Sequence, residues 1–207
     1  MADHAAEERG NLVKFLRVLL VLTLLGGGGL TTRAVYLRAK ADLAGVLIER
    51  AWEKRIKFGK EQPPWPWADT HPVARLRIPR LGFDEIVLEG ATARTLAFGP
   101  ARLLSGADFG EPGNVELAGH RTSWFRPLED LVVGDNLELQ WYDARKHQVR
   151  TRSYAVNVIR VVLPEDVSLL APTPDDELTL VTCYPFGRSP RSPERYLVRA
   201  SPDGPSR

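Results

Sequence analysis

Cys183 is the only cysteine in 207 residues, and it closes the strand-like run ELTLVTC immediately before Tyr184 and Pro185. Proline removes a ladder donor, so the strand stops there and the sulfur sits at its end. His120 ends a second run of this kind, NVELAGH, and Arg195 opens a third, RYLVRA. Strands that finish at one rim of a small barrel can bring a thiol, an imidazole and a guanidinium into one cleft from distant sequence positions. Each type answers a need of acyl transfer. A thiolate attacks a carbonyl, an imidazole moves protons and protonates a departing amine, and a permanently charged guanidinium steadies the developing oxyanion. The combination predicts a thiol site that cleaves or exchanges amide bonds. A lone cysteine is also a common small core residue, so a non-catalytic β module with a buried sulfur stands beside this reading.

The elements that must position these groups are short and extended. After Pro72 the chain reads VARLRIP, IVLEG, NVELAG, NLELQWY, VRTRSYAVNVIRVV, ELTLVTC and RYLVRA, mostly alternating apolar with polar residues. Pro79, Gly82, Gly90, Gly99, Pro112, Gly113, Gly134 and Asp135 punctuate them. This predicts a mainly β, antiparallel domain over residues 73–201, a barrel or a sandwich, with residues 202–207 as a tail. The segment QPPWPWADTHP, residues 62–72, carries four prolines and two tryptophans and reads as a stiff linker. Before it, Val35, Leu43, Val46, Leu47, Trp52 and Ile56 recur at helical spacing, which predicts an amphipathic helix over residues 38–61.

Residues 18–32, VLLVLTLLGGGGLTT, carry no charge and are flanked by Lys14 and Arg17 on one side and Arg33, Arg38 and Lys40 on the other. Extended to Leu37 the stretch reaches the length of a spanning helix if Arg33 lies at an interface. Residues 18–37 are therefore expected to anchor the chain in the membrane, with residues 1–17 as a cytoplasmic N-terminus. A cleaved signal segment and a buried soluble helix are the alternatives. Twenty-eight basic against 26 acidic residues leave a net charge of +2, too little for the dense positive field of a nucleic-acid binder. One cysteine excludes an intrachain disulfide framework, and four scattered histidines leave little for structural zinc. His4, His71 and His147 read as surface groups. Asp84, Glu85, Asp175, Asp176 and Glu177 lack calcium-loop spacing and read as solvated turns. Neither a metal nor a cofactor is expected.

TLVTC at 179–183, AGHR at 118–121 and RYLV at 195–198, behind an N-terminal apolar segment, resemble the sortases, cysteine transpeptidases of bacterial surfaces. Within them, PWPWADTHPVARLRIPRLG, RTLAFGP and TLVTCYPF resemble the Gram-negative class GN most. The resemblance implies a sortase-type closed β-barrel, antiparallel or mixed, with short helices. It implies Cys183 as nucleophile, His120 as general acid and base, and Arg195 as the group that positions substrate or stabilises the oxyanion. It further implies a secreted or membrane-held protein partner with a C-terminal LPxTG-like sorting signal, a thioester on Cys183, and an amine acceptor. The catalytic domain would then stand on the extracytoplasmic side of the inner membrane. Two departures stand out. RTSWFRPL follows the histidine, so Trp124 is expected to shape a cleft wall. The loop GRSPRSPER makes Arg188 and Arg191 rivals of Arg195. With Thr182 and Tyr184 beside the sulfur, these are the candidate substrate-binding residues. A thiol peptidase that hydrolyses its acyl intermediate is the enzymatic alternative.

Overall fold

The computed structural model describes residues 20, 23, 33, 35–36, 38–166, 168–187 and 192–203. The expected anchor at 18–37 and cytoplasmic N-terminus at 1–17 lie almost wholly outside these residues, as do Arg188, Arg191 and most of the tail. Among the described residues no helix is long and apolar enough to cross a membrane. The chain forms two units, one ending at Leu43 and one starting at Ala44. Residues 38–43 of the first are helical.

The second unit opens with helix α1, residues 44–58. Eight strands follow: β1 (Pro72–Ile78), β2 (Phe83–Glu89), β3 (Ala101–Arg102), β4 (Asn114–Ala118), β5 (Asn136–Asp143), β6 (Gln148–Val162), β7 (Glu177–Cys183) and β8 (Arg195–Pro202). Short 3-10 turns at Pro79–Leu81, Thr95–Ala97, Arg126–Asp130 and Ser168–Leu170 link them. The strands close into a barrel in the order β1-β2-β3-β4-β7-β8-β6-β5, with β5 paired back onto β1. Closure gives every strand a partner on both sides, so no strand stands at an open sheet edge.

Alternation explains the interior. Leu76 and Ile78 of β1, Val115 and Leu117 of β4, Leu137 and Leu139 of β5, Leu178 and Leu180 of β7, and Val198 and Ala200 of β8 meet in one cluster. Leu76, Ile78, Leu117, Leu137, Leu178, Leu180 and Val198 have no exposed surface. Each is worth about 1.5–3 kcal/mol of burial free energy. Two of the eight pairings are parallel, β2 with β3 and β4 with β7. The sequence predicts an antiparallel domain because alternation carries no direction; the resemblance alone allowed a mixed barrel.

Of the apolar residues that mark the inward face in the sequence, Trp52 is fully buried, whereas Leu43 and Val46 are not. Ala44, Ile48, Ala51, Trp52 and Arg55 are buried, whereas Leu43 is 58% and Val46 47% exposed. Positions 44, 48, 51, 52 and 55 follow the i, i+4, i+7, i+8, i+11 stripe of a single face. Small alanines on that stripe let the helix lie close to β2 and β3, where Ile48 and Trp52 join Ile86, Leu88 and Ala101 in a second cluster. In the proline-rich stretch, Trp65 packs edge-on against Phe98 with centroids 5.0 Å apart, and Trp67 is exposed.

Candidate active site

The cleft that matters lies on the outer face of β4, β7 and β8. Because Leu178 and Leu180 point into the barrel, Thr179, Val181 and Cys183 share the opposite face of β7. In the antiparallel ladder Cys183 is paired with Arg195, Val181 with Leu197 and Thr179 with Arg199. On the other side of β7 the parallel register sets Ala118 beside Val181 and Glu116 beside Thr179. Directly paired residues project to the same side, so the sulfur and the guanidinium share the last rung of the ladder.

His120 is delivered by the end of β4. The Gly119 N–H donates to the Val181 carbonyl over 3.2 Å, which carries the parallel pairing one residue past the strand. The buried Thr182 hydroxyl donates to the Gly119 carbonyl over 2.7 Å. Gly119 is required by close approach: a Cβ there would stand 2.6 Å from Cγ of Phe125, whose ring is fully buried. Phe125 in turn donates its backbone N–H to the His120 carbonyl over 3.0 Å. The imidazole is therefore exposed on a loop whose backbone is clamped from both sides. A further tie joins this loop to the chain after the cysteine, where Arg121 Nη1 donates to the Pro185 carbonyl over 2.7 Å.

His120, Thr182, Cys183 and Arg195 border one cleft of about 410 Å³. Its floor is Ala118, Val181 and Leu197, and its walls are Leu96, Leu103 and the segment after β6, with Leu163, Pro164, Asp166 and Leu170. Cys183 is half-buried rather than sealed in the core. The Arg195 Nη1 donates to the carbonyls of Pro193, over 2.6 Å, and Glu194, over 3.1 Å, which fixes one end of the guanidinium at the cleft. Beneath the floor, Glu116 is 1% exposed; burial pushes its carboxyl above the ordinary range, against a hydrogen bond from Ser105 and the charge of Arg199. A second cavity, about 580 Å³, is ringed by ion-paired groups such as Arg102 and Arg145 and has no thiol in its lining.

The other predicted site residues are placed differently. Trp124 does not line the cleft; its indole N–H donates to the carbonyl of Leu96, which does. Tyr184 lies outside the cleft lining and stacks on Tyr196 at 6.3 Å, with Phe186 edge-on to both. Thr182 borders the cleft, but its hydroxyl is spent on Gly119. Sequence reading missed Leu96, Leu103, Val162, Leu163 and Leu170, for which isolated aliphatic residues in turns and strand ends give no signal. Among the carboxylates considered for calcium, Asp84 pairs with Arg75 and Arg77, and Asp176 with Arg152.

The Thr182 hydroxyl gives a test of this scaffold. Thr182→Val keeps shape and strand propensity but leaves the Gly119 carbonyl without its donor, a cost of about 1–3 kcal/mol. The expected outcome is a thermal midpoint lowered by several degrees and a kcat/KM reduced through misplacement of His120. Melting curves and steady-state rates of the variant check both halves.

The sortase-domain family profile matches residues 76–203, from within β1 to just past the end of β8. Sortase D of Bacillus subtilis (strain 168) is 29% identical over 124 residues, covering 59% of this chain and 60% of that protein. This alignment thus spans less than two thirds of the relative's length. Among solved structures, Sortase A from Corynebacterium diphtheriae superposes with a TM-score of 0.58 at 30% identity, over 68% of this chain and 64% of that one. A Clostridium perfringens Sortase D5 transpeptidase superposes with a TM-score of 0.61 at 24% identity, over 79% of this chain and 99% of that one, a likeness of fold. With a profile match over most of the chain and a barrel of the same fold, the chain belongs to the sortase family.

Proposed function

We propose that this chain is a cysteine transpeptidase acting on proteins that carry an LPxTG-like sorting signal. The observation that carries the reading is the meeting of His120, Cys183 and Arg195 on one open cleft, from three strand ends far apart in sequence. The Cys183 thiolate adds to the carbonyl carbon of the scissile amide, and Arg195 balances the charge that gathers on its oxygen. As the C–N bond breaks, His120 gives a proton to the departing amine, leaving a thioester on Cys183. An incoming amine, relieved of its proton at His120, attacks the thioester, forms the new amide and returns the thiolate.

The apolar floor and walls suit aliphatic side chains of a peptide laid beside the sulfur, which supports a peptide rather than a charged polymer as substrate. In this reading Arg188 and Arg191 take part in substrate binding, Trp124 holds one wall of the cleft, and Tyr184 flanks the sulfur. The apolar stretch at 18–37 supports tethering at the cytoplasmic membrane with the barrel outside. A tether would keep enzyme and membrane-held substrate in one thin layer and raise their effective concentration. The wording of residues 64–82, 94–100 and 179–186 supports placement in class GN.

The test is covalent capture. The chain is mixed with an internally quenched LPxTG-type peptide, quenched in acid and digested, and the acylated residue is located by mass spectrometry. The expected adduct is the peptide's N-terminal part on Cys183, passed to diglycine when that amine is added. Acylation elsewhere, or none, removes the assignment; an acid product that added diglycine never diverts makes the enzyme a hydrolase.

A further inference from the structure

The cleft wall formed by Leu96 is not held by the barrel alone. Leu96 sits in the 3-10 turn Thr95–Ala97 and lines the cleft. It also packs against the second cluster, where α1 supplies Ile48 and Trp52, β2 supplies Ile86 and Leu88, and β3 supplies Ala101. Trp52 is 1% exposed, and Trp65 and Phe98 pack on the same cluster. The main chain of Leu96 is anchored twice. Its N–H donates to the Thr92 carbonyl over 2.9 Å, and its carbonyl accepts the Trp124 indole N–H over 3.1 Å.

We infer that Leu96 is a specificity-determining residue of the cleft and that Trp52 of α1 and Trp124 are the residues that position it, so that the segment before the barrel takes part in substrate recognition. The inference rests on reading the cleft as a peptide site. Its physical basis is close packing: a side chain that packs on a cluster and also lines a cleft moves when the cluster loses volume. Outside α1, the buried members of the cluster are less free to respond than the partly buried ones, Leu96 among them. Ile86, Leu88 and Ala101 belong to barrel strands, whereas Leu96 lies in a turn and is only partly buried. Volume lost at Trp52 is therefore taken up by Leu96, and the wall recedes from the cleft. Cys183 and Arg195 stay in place because the β7–β8 ladder holds them.

The single thiol allows a test that needs no substrate. In the full chain, alkylation of Cys183 by N-ethylmaleimide and by the bulkier N-cyclohexylmaleimide reads the room beside the sulfur. Leu96→Ala and Trp52→Leu are expected to raise the cyclohexyl-to-ethyl rate ratio by about tenfold, equivalent to about 1.4 kcal/mol, and Trp52→Phe by much less. Trp124→Phe, which loses the N–H together with the five-membered ring of the indole, is expected to move the ratio in the same direction. With an LPxTG-type peptide the same variants raise KM with kcat nearly unchanged, and a peptide with phenylalanine in place of leucine gains relative to its parent. Circular dichroism confirms that each variant is folded; should Trp52→Leu fail to fold, Trp124→Phe carries the positioning claim. An unchanged ratio in Leu96→Ala overturns the role of Leu96. A changed ratio there with none in folded Trp52→Leu and Trp124→Phe overturns the positioning by α1 and the His120 loop. Failure of the wild type to cleave any peptide strikes the transpeptidase reading alone, since the maleimide ratio is read without it.

Discussion

Cys183→Ala is expected to lower peptide cleavage and amide transfer by at least about 10⁴-fold, the scale seen when a covalent nucleophile is deleted. The fold should survive. Cys183 is half-buried at the last position of β7, and its rung is held by backbone pairing with Arg195 rather than by its side chain. Removing one sulfur there costs about 1 kcal/mol or less, which for a chain of this length moves the thermal midpoint by no more than about 2–4 °C. Cys183→Ser separates nucleophilicity from binding. Its hydroxyl stays protonated at neutral pH and attacks slowly, so the variant should bind the peptide yet accumulate no acyl-enzyme. Calorimetry, initial rates and mass spectrometry of the quenched reaction check the three parts. A fully active Cys183→Ala would transfer the chemistry to another group, and a variant that melts far lower would return the sulfur to a packing role.

Much of the barrel could be read before any coordinates. VARLRIP, IVLEG, NVELAG, NLELQWY, VRTRSYAVNVIRVV, ELTLVTC and RYLVRA fall on β1, β2, β4, β5, β6, β7 and β8, because alternation and turn residues are local signals. The exception among the strands is β3, which has two residues, Ala101 and Arg102, and no room for a pattern. What alternation cannot give is pairing. The parallel partnership of β4 and β7 joins residues more than 60 positions apart, and it is this partnership that sets His120 beside Cys183. Residue types and the local motifs named the groups, while their meeting is a property of register. The same limit applies to Trp124. Its place after the histidine marked it as a wall residue, but the wall is Leu96, reached through one indole hydrogen bond that no sequence spacing encodes. In α1 the buried stripe runs through Ala44, Ile48, Ala51 and Trp52, with Ile48 and Trp52 packed on β2 and β3, a phase that the apolar Leu43 and Val46 conceal in the sequence.

The arrangement also explains why the floor of the cleft tolerates burial of polar groups. Glu116 and Thr179 lie two rungs from the sulfur on the same face and Asn114 three, each at most 2% exposed. Ser105 donates to Glu116 over 2.9 Å and Thr179 donates to the Asn114 side chain over 2.7 Å. Bonded in this way, they fix the spacing of β4 and β7 without contributing a competing nucleophile.

Arg195→Gln is the second large expected loss, about 10²–10³-fold in kcat with KM little changed. The reasoning follows the geometry of the guanidinium. Its Nη1 is committed to the carbonyls of Pro193 and Glu194, while Nε and Nη2 make no hydrogen bond among the described residues. One end is thus anchored, and the other is left to meet an oxygen that becomes negative beside Cys183. Donors that meet charge formed only on the way to the tetrahedral intermediate lower the barrier without tightening ground-state binding, so kcat and kcat/KM should fall together. Arg195→Lys keeps the charge but has one nitrogen where two sites must be filled, and should recover only part of the loss. Arg188→Gln and Arg191→Gln, which lie between β7 and β8 in sequence, should each change kcat by less than about threefold, as expected of charges that act in substrate binding and not on the oxyanion. Steady-state kinetics across the four variants decides the matter. A collapse of kcat in Arg191→Gln with near-normal Arg195→Gln would move the oxyanion role to the loop and leave Arg195 as a strand-end ion. Loss in KM alone for Arg195→Gln would make it a substrate-positioning group that acts before the thioester forms.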